Sequence, residues 1–268
     1  MPARYPERIV CLTEETTETL YLLGEERRIV GISGYTVRPA RARREKPRVS
    51  AFLSAKNDAI LALKPDLVLG FSDLQADIGR DLAKAGLNVV LFNQRSIDEI
   101  LSMVLLLSSM VDATERGQRL VTELESNLSE VRGAAQRLSR RPLVYFEEWD
   151  EPMISGIRWV SELVEIAGGV DVFSDLSRSQ AATGRIVTSD AVLAKAPELM
   201  IASWCGKKFR PERVRSRAGW NGVPAVRDGE LHEVKSAEIL QPGPAALSDG
   251  VRRLQAIISG WAERRRAA

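Results

Sequence analysis

The chain holds one histidine and two cysteines among 268 residues. Two thiols make no disulfide framework, and Cys11 and Cys205 can pair only if the fold brings them together. Catalytic signatures are also missing. There is no G-x-S-x-G elbow, no G-x-x-x-x-G-K-[ST] phosphate loop, no G-x-G-x-x-G fingerprint and no H-E-x-x-H metal helix. The lone His232 sits in the strand-like run Leu231–Val234 and reads as a satisfied structural histidine. No required cofactor or metal follows from these residues.

Long apolar runs are absent too. The longest, Ile100 to Val111, contains Ser102, Ser108 and Ser109 and falls short of the ~20 residues that span a bilayer, so it reads as a buried helix and no membrane insertion is expected. Before Thr13-Glu14-Glu15 only Ile9-Val10-Cys11-Leu12 is apolar, so the ~7–15-residue core of an export signal is missing. The chain as written is therefore expected in the cytoplasm, and in the periplasm only if it is a trimmed precursor. No excess of one charge exists either: 38 Lys and Arg face 36 Asp and Glu, a net charge of +2 that gives no reason to expect nucleic acid as a partner. The basic run Arg38–Lys46 and the acidic run Glu147–Glu151 read first as solvated loops.

What is present is an ordinary globular composition, 44% apolar and 28% charged, in a chain long enough for two lobes with separate cores. Short β-branched runs at Ile9–Leu12, Ile29–Ile32, Leu67–Gly70 and Val89–Phe92 alternate with helical segments, which predicts βα units and a largely parallel sheet. From Thr114 to Leu138, apolar residues recur every three or four positions (Leu120, Leu124, Leu128, Val131, Ala135), which predicts one long connecting helix. The alternation resumes at Leu143–Phe146 and continues through Trp159–Ala167, Ala191–Ala196, Leu199–Ala202 and Leu231–Val234. A final helix over Ala246–Trp261 precedes Arg264-Arg265-Arg266, expected to be a frayed tail. The expected division is an amino-terminal α/β lobe over residues 1–112, a backbone helix over 113–140 and a carboxy-terminal α/β lobe over 141–268.

An internal echo supports that division. Asp58-Ala59-Ile60-Leu61-Ala62 followed by Pro65-Asp66-Leu67 recurs, 132 residues on, as Asp190-Ala191-Val192-Leu193-Ala194 followed by Pro197-Glu198-Leu199. Helix-Pro-acid-strand is a common junction, so chance is one reading, and two similar lobes is the better one. In such sheets ligands sit beyond the carboxyl ends of the strands, so the loops after equivalent strands are expected to face each other across a cleft. That places Thr13, Glu14 and Glu15, Tyr35 and Arg38, Phe52, and Phe71 with Ser72 in the lining from the first lobe. From the second come Glu147, Glu148 and Trp149, then Ser203, Trp204, Cys205, Lys207 and Lys208. Aromatic faces with polar handles suit a large planar ligand: Tyr35, Trp149 and Trp204 to stack it, the charged residues to meet its periphery. Trp220 and Trp261 read as core. Cys205 beside Lys207 and Lys208 is a candidate for a lowered thiol pKa.

The segments Arg8-Ile9-Val10, Thr13-Glu14, Thr17-Glu18 and Leu22-Leu23-Gly24, followed by Val30-Gly31-Ile32-Ser33, resemble the helical-backbone class of substrate-binding proteins. So do Leu63-Lys64-Pro65-Asp66-Leu67-Val68-Leu69-Gly70 and Trp159-Val160-Ser161-Glu162-Leu163 with Ala167-Gly168-Gly169. The resemblance covers nearly the whole chain and is strongest to the cobalamin-binding components of ABC importers. It implies two Rossmann-like lobes joined by one rigid helix, a ligand cleft between them, no enzymatic activity, a small-molecule ligand of the cobalamin or corrinoid type, and an ABC permease as partner. It also implies permease docking through an acid on each lobe, where this chain carries Asp58 and Asp190 in place of the family's glutamates. Iron–siderophore, haem or another small ligand remain open. So do a cytoplasmic enzyme on the same scaffold, using Cys205, His232, Lys207 and the Glu147-Glu148 pair, and a structural or partner-binding protein.

Overall fold

The computed structural model describes residues 4–267. The outermost residues of the expected lobes, 1–3 and 268, lie outside the described residues. The chain divides into two compact units, one running to Gln94 and including Asp98–Leu124, the other comprising Arg95–Ile97 and the chain from Glu125 onward.

In the amino-terminal unit the elements run β1 (Ile9–Cys11), α1 (Glu14–Leu22), β2 (Ile29–Ser33), α2 (Ala42–Glu45), β3 (Arg48–Ser50), α3 (Asn57–Ala62), β4 (Leu67–Phe71), α4 (Ala76–Lys84), β5 (Val89–Phe92) and α5 (Ile97–Met110). The five strands form one sheet in the order β3-β2-β1-β4-β5, with every pairing parallel. Central strands covered on both faces lose the polar alternation of a half-exposed sheet. Accordingly Ile9, Val10, Cys11, Val68 and Leu69 are all fully buried.

The 22-residue helix α6 (Thr114–Ala135) follows, about 33 Å long at ~1.5 Å per residue, and the division between units falls inside it. Val121, Leu124, Leu128 and Val131 form its buried stripe. It stops short of the expected Leu138, because the amides of Arg137 and Leu138 bond back to Ala134 and Ala135 in an i+3 turn that tightens the end.

The carboxy-terminal unit continues with β6 (Leu143–Asp150), β7 (Met153–Ser155), α7 (Arg158–Ile166), β8 (Val170–Asp171), α8 (Ser189–Lys195), β9 (Leu199–Ala202), α9 (Pro211–Arg215), α10 (Pro224–Arg227), β10 (Leu231–Glu233), α11 (Ser236–Ile239) and α12 (Val251–Ala267). Its sheet runs β10-β9-β6, and the far edge of the long β6 is shared between parallel β8 at its start and antiparallel β7 at its end. The core here gathers Tyr145, Phe173, Trp204, Phe209 and Trp220, with Tyr145 edge-on to both Phe173 and Trp220. Trp261 is fully buried on α12.

The echo in the sequence corresponds to one repeated construction. In each unit a helix ends on a left-handed residue, Lys64 (φ 47°) or Ala196 (φ 45°), followed by a buried proline and an acid. The acid's amide bonds the strand beside it (Asp66 N to Arg8 O, 2.9 Å; Glu198 N to Leu143 O, 2.8 Å). Its carboxylate then accepts amides from the same strand: Glu7 and Arg8 to Asp66 at 2.8 and 3.0 Å, and Leu143 to Glu198 at 3.2 Å. The four matched strands pair alike, β2-β1-β4-β5 in one unit and β8-β6-β9-β10 in the other.

Three expectations need correction. Arg264–Arg266 is not a frayed tail but the last turn of α12, where Arg264 forks onto Glu230 (2.8–3.1 Å) and Arg265 pairs with Asp228. The acidic run Glu147–Asp150 is not a solvated loop but the end of β6, with Glu147 and Asp150 buried. The basic run is partly structured: Arg38 pairs with Glu18, Arg41 with Glu26, and Ala42–Glu45 is a helical turn. Strands β3, β7 and β8 had no sequence signal, because each has two or three residues and lies at a sheet edge where pairing, not pattern, defines it.

Helices α5 and α6 approach closely at Gly117, where an added Cβ would stand 2.0 Å from Ser108 Oγ and 2.4 Å from its Cβ. Gly117→Ala is expected to destabilise the protein by about 1–3 kcal/mol through overpacking, against its favourable helix propensity. Urea unfolding checks this, and Gly117→Ala combined with Ser108→Gly is expected to recover part of the loss.

Candidate functional site

The carboxyl edge of the amino-terminal sheet has its switch point between β1 and β4, from which the chain leaves in opposite directions. Thr13 caps α1 there, its hydroxyl bonding Glu15 and its carbonyl accepting the hydroxyls of Thr16 (3.2 Å) and Thr17 (3.1 Å). The first turn of α1 is unusual in being buried and acidic at once: Glu14 is 4% exposed and Glu15 1%. A helix amino terminus favours carboxylates, but desolvation wins here. Burial first, then the neighbouring Glu18 and Glu15, pushes Glu14 up to about 8, although the Val37 amide and Arg38 pull the other way. Burial likewise carries Glu15 to about 7. Glu14 Oε1 and Glu15 Oε2 each lack a hydrogen-bond partner.

Around this point the loops carry the other expected residues. Arg38 reaches back to Glu18 at 2.8 Å, and Tyr35 is 62% exposed. Phe52 is half-buried and Phe71 buried. Ser72 holds φ at 67°, outside the usual range for a residue with a Cβ, and its hydroxyl caps the turn by accepting the Leu74 amide (3.2 Å). Gln75, which sequence reasoning passed over, staples the edge. Fully buried, it accepts the Phe71 amide (3.0 Å) and donates to the carbonyls of Phe52 (2.9 Å) and Leu12 (3.5 Å). Tyr35, Val37, Leu53 and Leu74 remain as exposed large apolar side chains on the loops after β2, β3 and β4.

The carboxyl edge of the other sheet is closed upon itself. Glu147 is wholly buried, forked by Arg217 (2.7 and 2.9 Å), and also accepts the Tyr145 hydroxyl and the Trp204 indole N–H, each at 2.9 Å. Trp204 is 2% exposed, edge-on to Phe209 at 5.1 Å. As placed, these two residues hold the loop and offer no surface, so Trp204 does not present a stacking face. Glu148 is half-buried against Arg185, itself a buried cation whose Nη1 lies 2.6 Å from Glu148 and 2.6 Å from the Ser155 carbonyl. Trp149 is half-buried, with the Lys207 ammonium 3.6 Å from its ring centroid, while Lys207 also pairs with Asp150 at 3.0 Å. Lys208 and Cys205 are exposed. The Cys205 thiol moves opposite to expectation: desolvation, then the charge of Glu148, raises its pKa, while Lys207 is engaged elsewhere. Cys11 is buried and free, its thiol pushed up to about 12 by burial. His232 pairs with Glu230 at 2.9 Å. Among the described residues no group of three or more His, Cys, Asp and Glu side chains is placed to hold a metal ion. Arg217 and Arg185 left no signal in the sequence, since their partners lie 70 and 37 positions away.

Asp58 and Asp190 are both exposed, each in the first turn of its helix, α3 or α8. Among the described residues no helix is long and apolar enough to cross a membrane.

Two α/β lobes of matched topology, linked in sequence through a long helix, define the two-lobed binding-protein fold. Residues 9–238 match the sequence profile of the periplasmic binding proteins, and the chain belongs to that family. It is 30% identical over 203 residues to a vitamin B12-binding protein of Vibrio cholerae, an alignment covering 74% of this chain and 70% of that one. Its fold is similar to that of a possible iron-binding periplasmic solute-binding protein from Staphylococcus epidermidis (TM-score 0.82, 22% identity, 95% and 99% of the two chains). It is also similar to a periplasmic haem-binding protein from Roseiflexus (TM-score 0.78, 21% identity, 94% and 99%). The protein is thus a substrate-binding protein of the ABC-importer type. The expectation of a cytoplasmic chain finds no support in these relatives.

Glu14 and Glu15 titrate higher folded than unfolded, so the stability their neutral forms allow is present below about 4.5 and is lost as pH rises through about 7 to 8. Glu14→Gln is therefore expected to gain stability relative to the parent at pH 9 and not at pH 4, measured by thermal unfolding at both. In the other lobe, Arg217→Met strands a buried charge and is expected to cost about 3–5 kcal/mol in urea unfolding, much of it restored by Glu147→Gln in the same chain.

Proposed function

We propose that this substrate-binding protein takes a large ligand of the corrinoid class on the loops at the carboxyl ends of its two sheets and delivers it without chemical change. The observation that carries the reading is the set of large apolar side chains left in water at the edge of the amino-terminal sheet, Tyr35 at 62% and Leu53 at 68% exposed, with Val37 and Leu74 beside them in the same loop set. Solvated apolar side chains on the loops after β2, β3 and β4, at the carboxyl edge of one sheet, suit the flat face of a tetrapyrrole-like ring, and the similarity to a vitamin B12-binding protein supports the choice of class. Tyr35 and Trp149 are the stacking faces in this reading, with Arg38, Glu148, Lys207 and Lys208 at the ligand's polar rim. Thr13, Glu14, Phe52 and Phe71 are the less exposed ligand contacts of the same loop set in this reading, Cys205 lies on the second lobe's loop, and Glu147 with Trp204 holds that loop in place. An ABC permease is the partner this reading requires, and the exposed Asp58 and Asp190 are the residues it would meet.

The test is titration of the full chain with cyanocobalamin, haemin and a ferric hydroxamate in parallel, followed by visible absorption and calorimetry. Saturable binding of cyanocobalamin, weakened about tenfold or more by Tyr35→Ala, is the expected outcome, a loss of the size found for interface aromatics. Binding of haemin or the ferric complex alone would replace the ligand class, and a bound ligand recovered chemically altered would overturn the non-enzymatic part of the reading.

A further inference from the structure

A cavity of about 400 Å3 opens in the amino-terminal unit beside the end of β3, lined by Gly34, Arg48, Ser50, Ser54 and Lys56 together with two alanines. Its walls follow from a short reversal of the chain. Arg48 and Ser50 lie two apart on a strand and share a face, while Val49 between them turns into the core. After Ser50 the chain doubles back: the Ala51 amide bonds the Ser54 carbonyl (2.8 Å), Ser50 bridges to Ala55, and the Lys56 amide bonds the Val49 carbonyl (2.9 Å). Residues 48 and 56 are thereby brought to one cavity. On the opposite wall the Gly34 amide bonds the Ser50 carbonyl at 2.7 Å, and a Cβ there would stand 3.2 Å from that oxygen, so glycine leaves the wall clear.

The charge of this cavity is one-sided. Two cations line it and no carboxylate does. Arg48 and Lys56 are both exposed and form no ion pair among the described residues, so neither charge is neutralised within the chain. A further polar group waits beside them: Ser50 is 9% exposed, and its hydroxyl has no hydrogen-bond partner. A guanidinium that can fork onto two oxygens, an ammonium and an unpartnered hydroxyl together make a receptor for an oxyanion. Two positive charges match a dianion, whereas a monocarboxylate leaves one of them uncompensated.

We propose that this cavity binds a phosphate group, as the free ion or as an ester on a larger ligand, with Arg48 and Lys56 as the charged contacts and Ser50 as a hydroxyl donor. Gly34 precedes the exposed Tyr35, and the exposed Leu53 lies in the turn between Ser50 and Ser54, so an ester's body has an apolar surface next to the site. The site does not depend on the corrinoid reading.

Calorimetry of the full chain against inorganic phosphate, acetate and phenyl phosphate at constant ionic strength tests it. The expected result is saturable phosphate binding at least about tenfold tighter than acetate, weakened about tenfold by Arg48→Gln or by Lys56→Gln and lost in the double variant, the scale of a charge-assisted hydrogen bond. Ser50→Ala is expected to weaken it about threefold, and Arg80→Gln, elsewhere on the unit, to leave it unchanged. Phenyl phosphate binding as tightly as the ion, or more so, assigns the site to an ester, and exclusion of the ester assigns it to free phosphate. Absence of phosphate binding by the parent, or binding that survives in a double variant with the parent's circular dichroism, overturns the proposal. Phosphate binding without cyanocobalamin binding would keep this site and discard the corrinoid reading.

Discussion

The junction that ends one helix and starts the next central strand sets up each lobe. A left-handed residue and a proline stop the helix, and the acid that follows ties its amide and its carboxylate to the strand beside it, Asp66 to Glu7 and Arg8 and Glu198 to Leu143. In a sheet a slip of one residue turns every side chain to the opposite face. By pinning the register of β1 against β4 and of β6 against β9, the junction decides which residues emerge at the carboxyl edge: Thr13 and Ser72 in one lobe, Glu147 and Ser203 in the other. Arg8 reinforces the first copy by donating to the carbonyls of Leu63 and Lys64 at the helix end, and Arg140 the second by pairing with Glu198.

From the same construction the two lobes reach opposite electrostatic solutions. At the second edge the carboxylate of Glu147 is compensated in full, by a forked guanidinium and two further donors, and two aromatic side chains enclose it. Such a network is rigid, because losing any partner leaves a charge in low dielectric. At the first edge the carboxyls of Glu14 and Glu15 are buried with oxygens unmatched, and burial outweighs the attraction of the helix terminus. Beside them stand a strained Ser72 and a rim of exposed apolar residues. Uncompensated groups and strain persist where the surrounding fold over-determines them, and such places cluster at sites of function.

Much of the architecture was legible because it rests on local rules. Parallel strands buried on both faces must be continuous apolar runs, so Ile9–Cys11, Leu67–Phe71 and Leu199–Ala202 stand out by composition. A long helix with one buried stripe must repeat its apolar residues every three or four positions, as Val121, Leu124, Leu128 and Val131 do. The repeated helix-proline-acid-strand segment was visible as a spacing. The edge strands β3, β7 and β8 were not, since two or three residues carry no period and only a neighbour defines them.

The site divides along the same line. Sequence alone determined which loops leave the carboxyl ends of the strands, and so that Thr13, Tyr35, Phe71 and Glu147 lie near them, because chain order and strand direction are properties of the local pattern. Only the tertiary structure decided what each side chain there can do. Trp204 and Glu147 look like binding groups beside charged neighbours and are interior ones, because Arg217, 70 positions from Glu147, folds over them. Arg48 and Lys56 look like two more surface cations and become one cavity, because a turn between them reverses the chain. Burial and pairing are long-range quantities, set by contacts that no window of sequence contains.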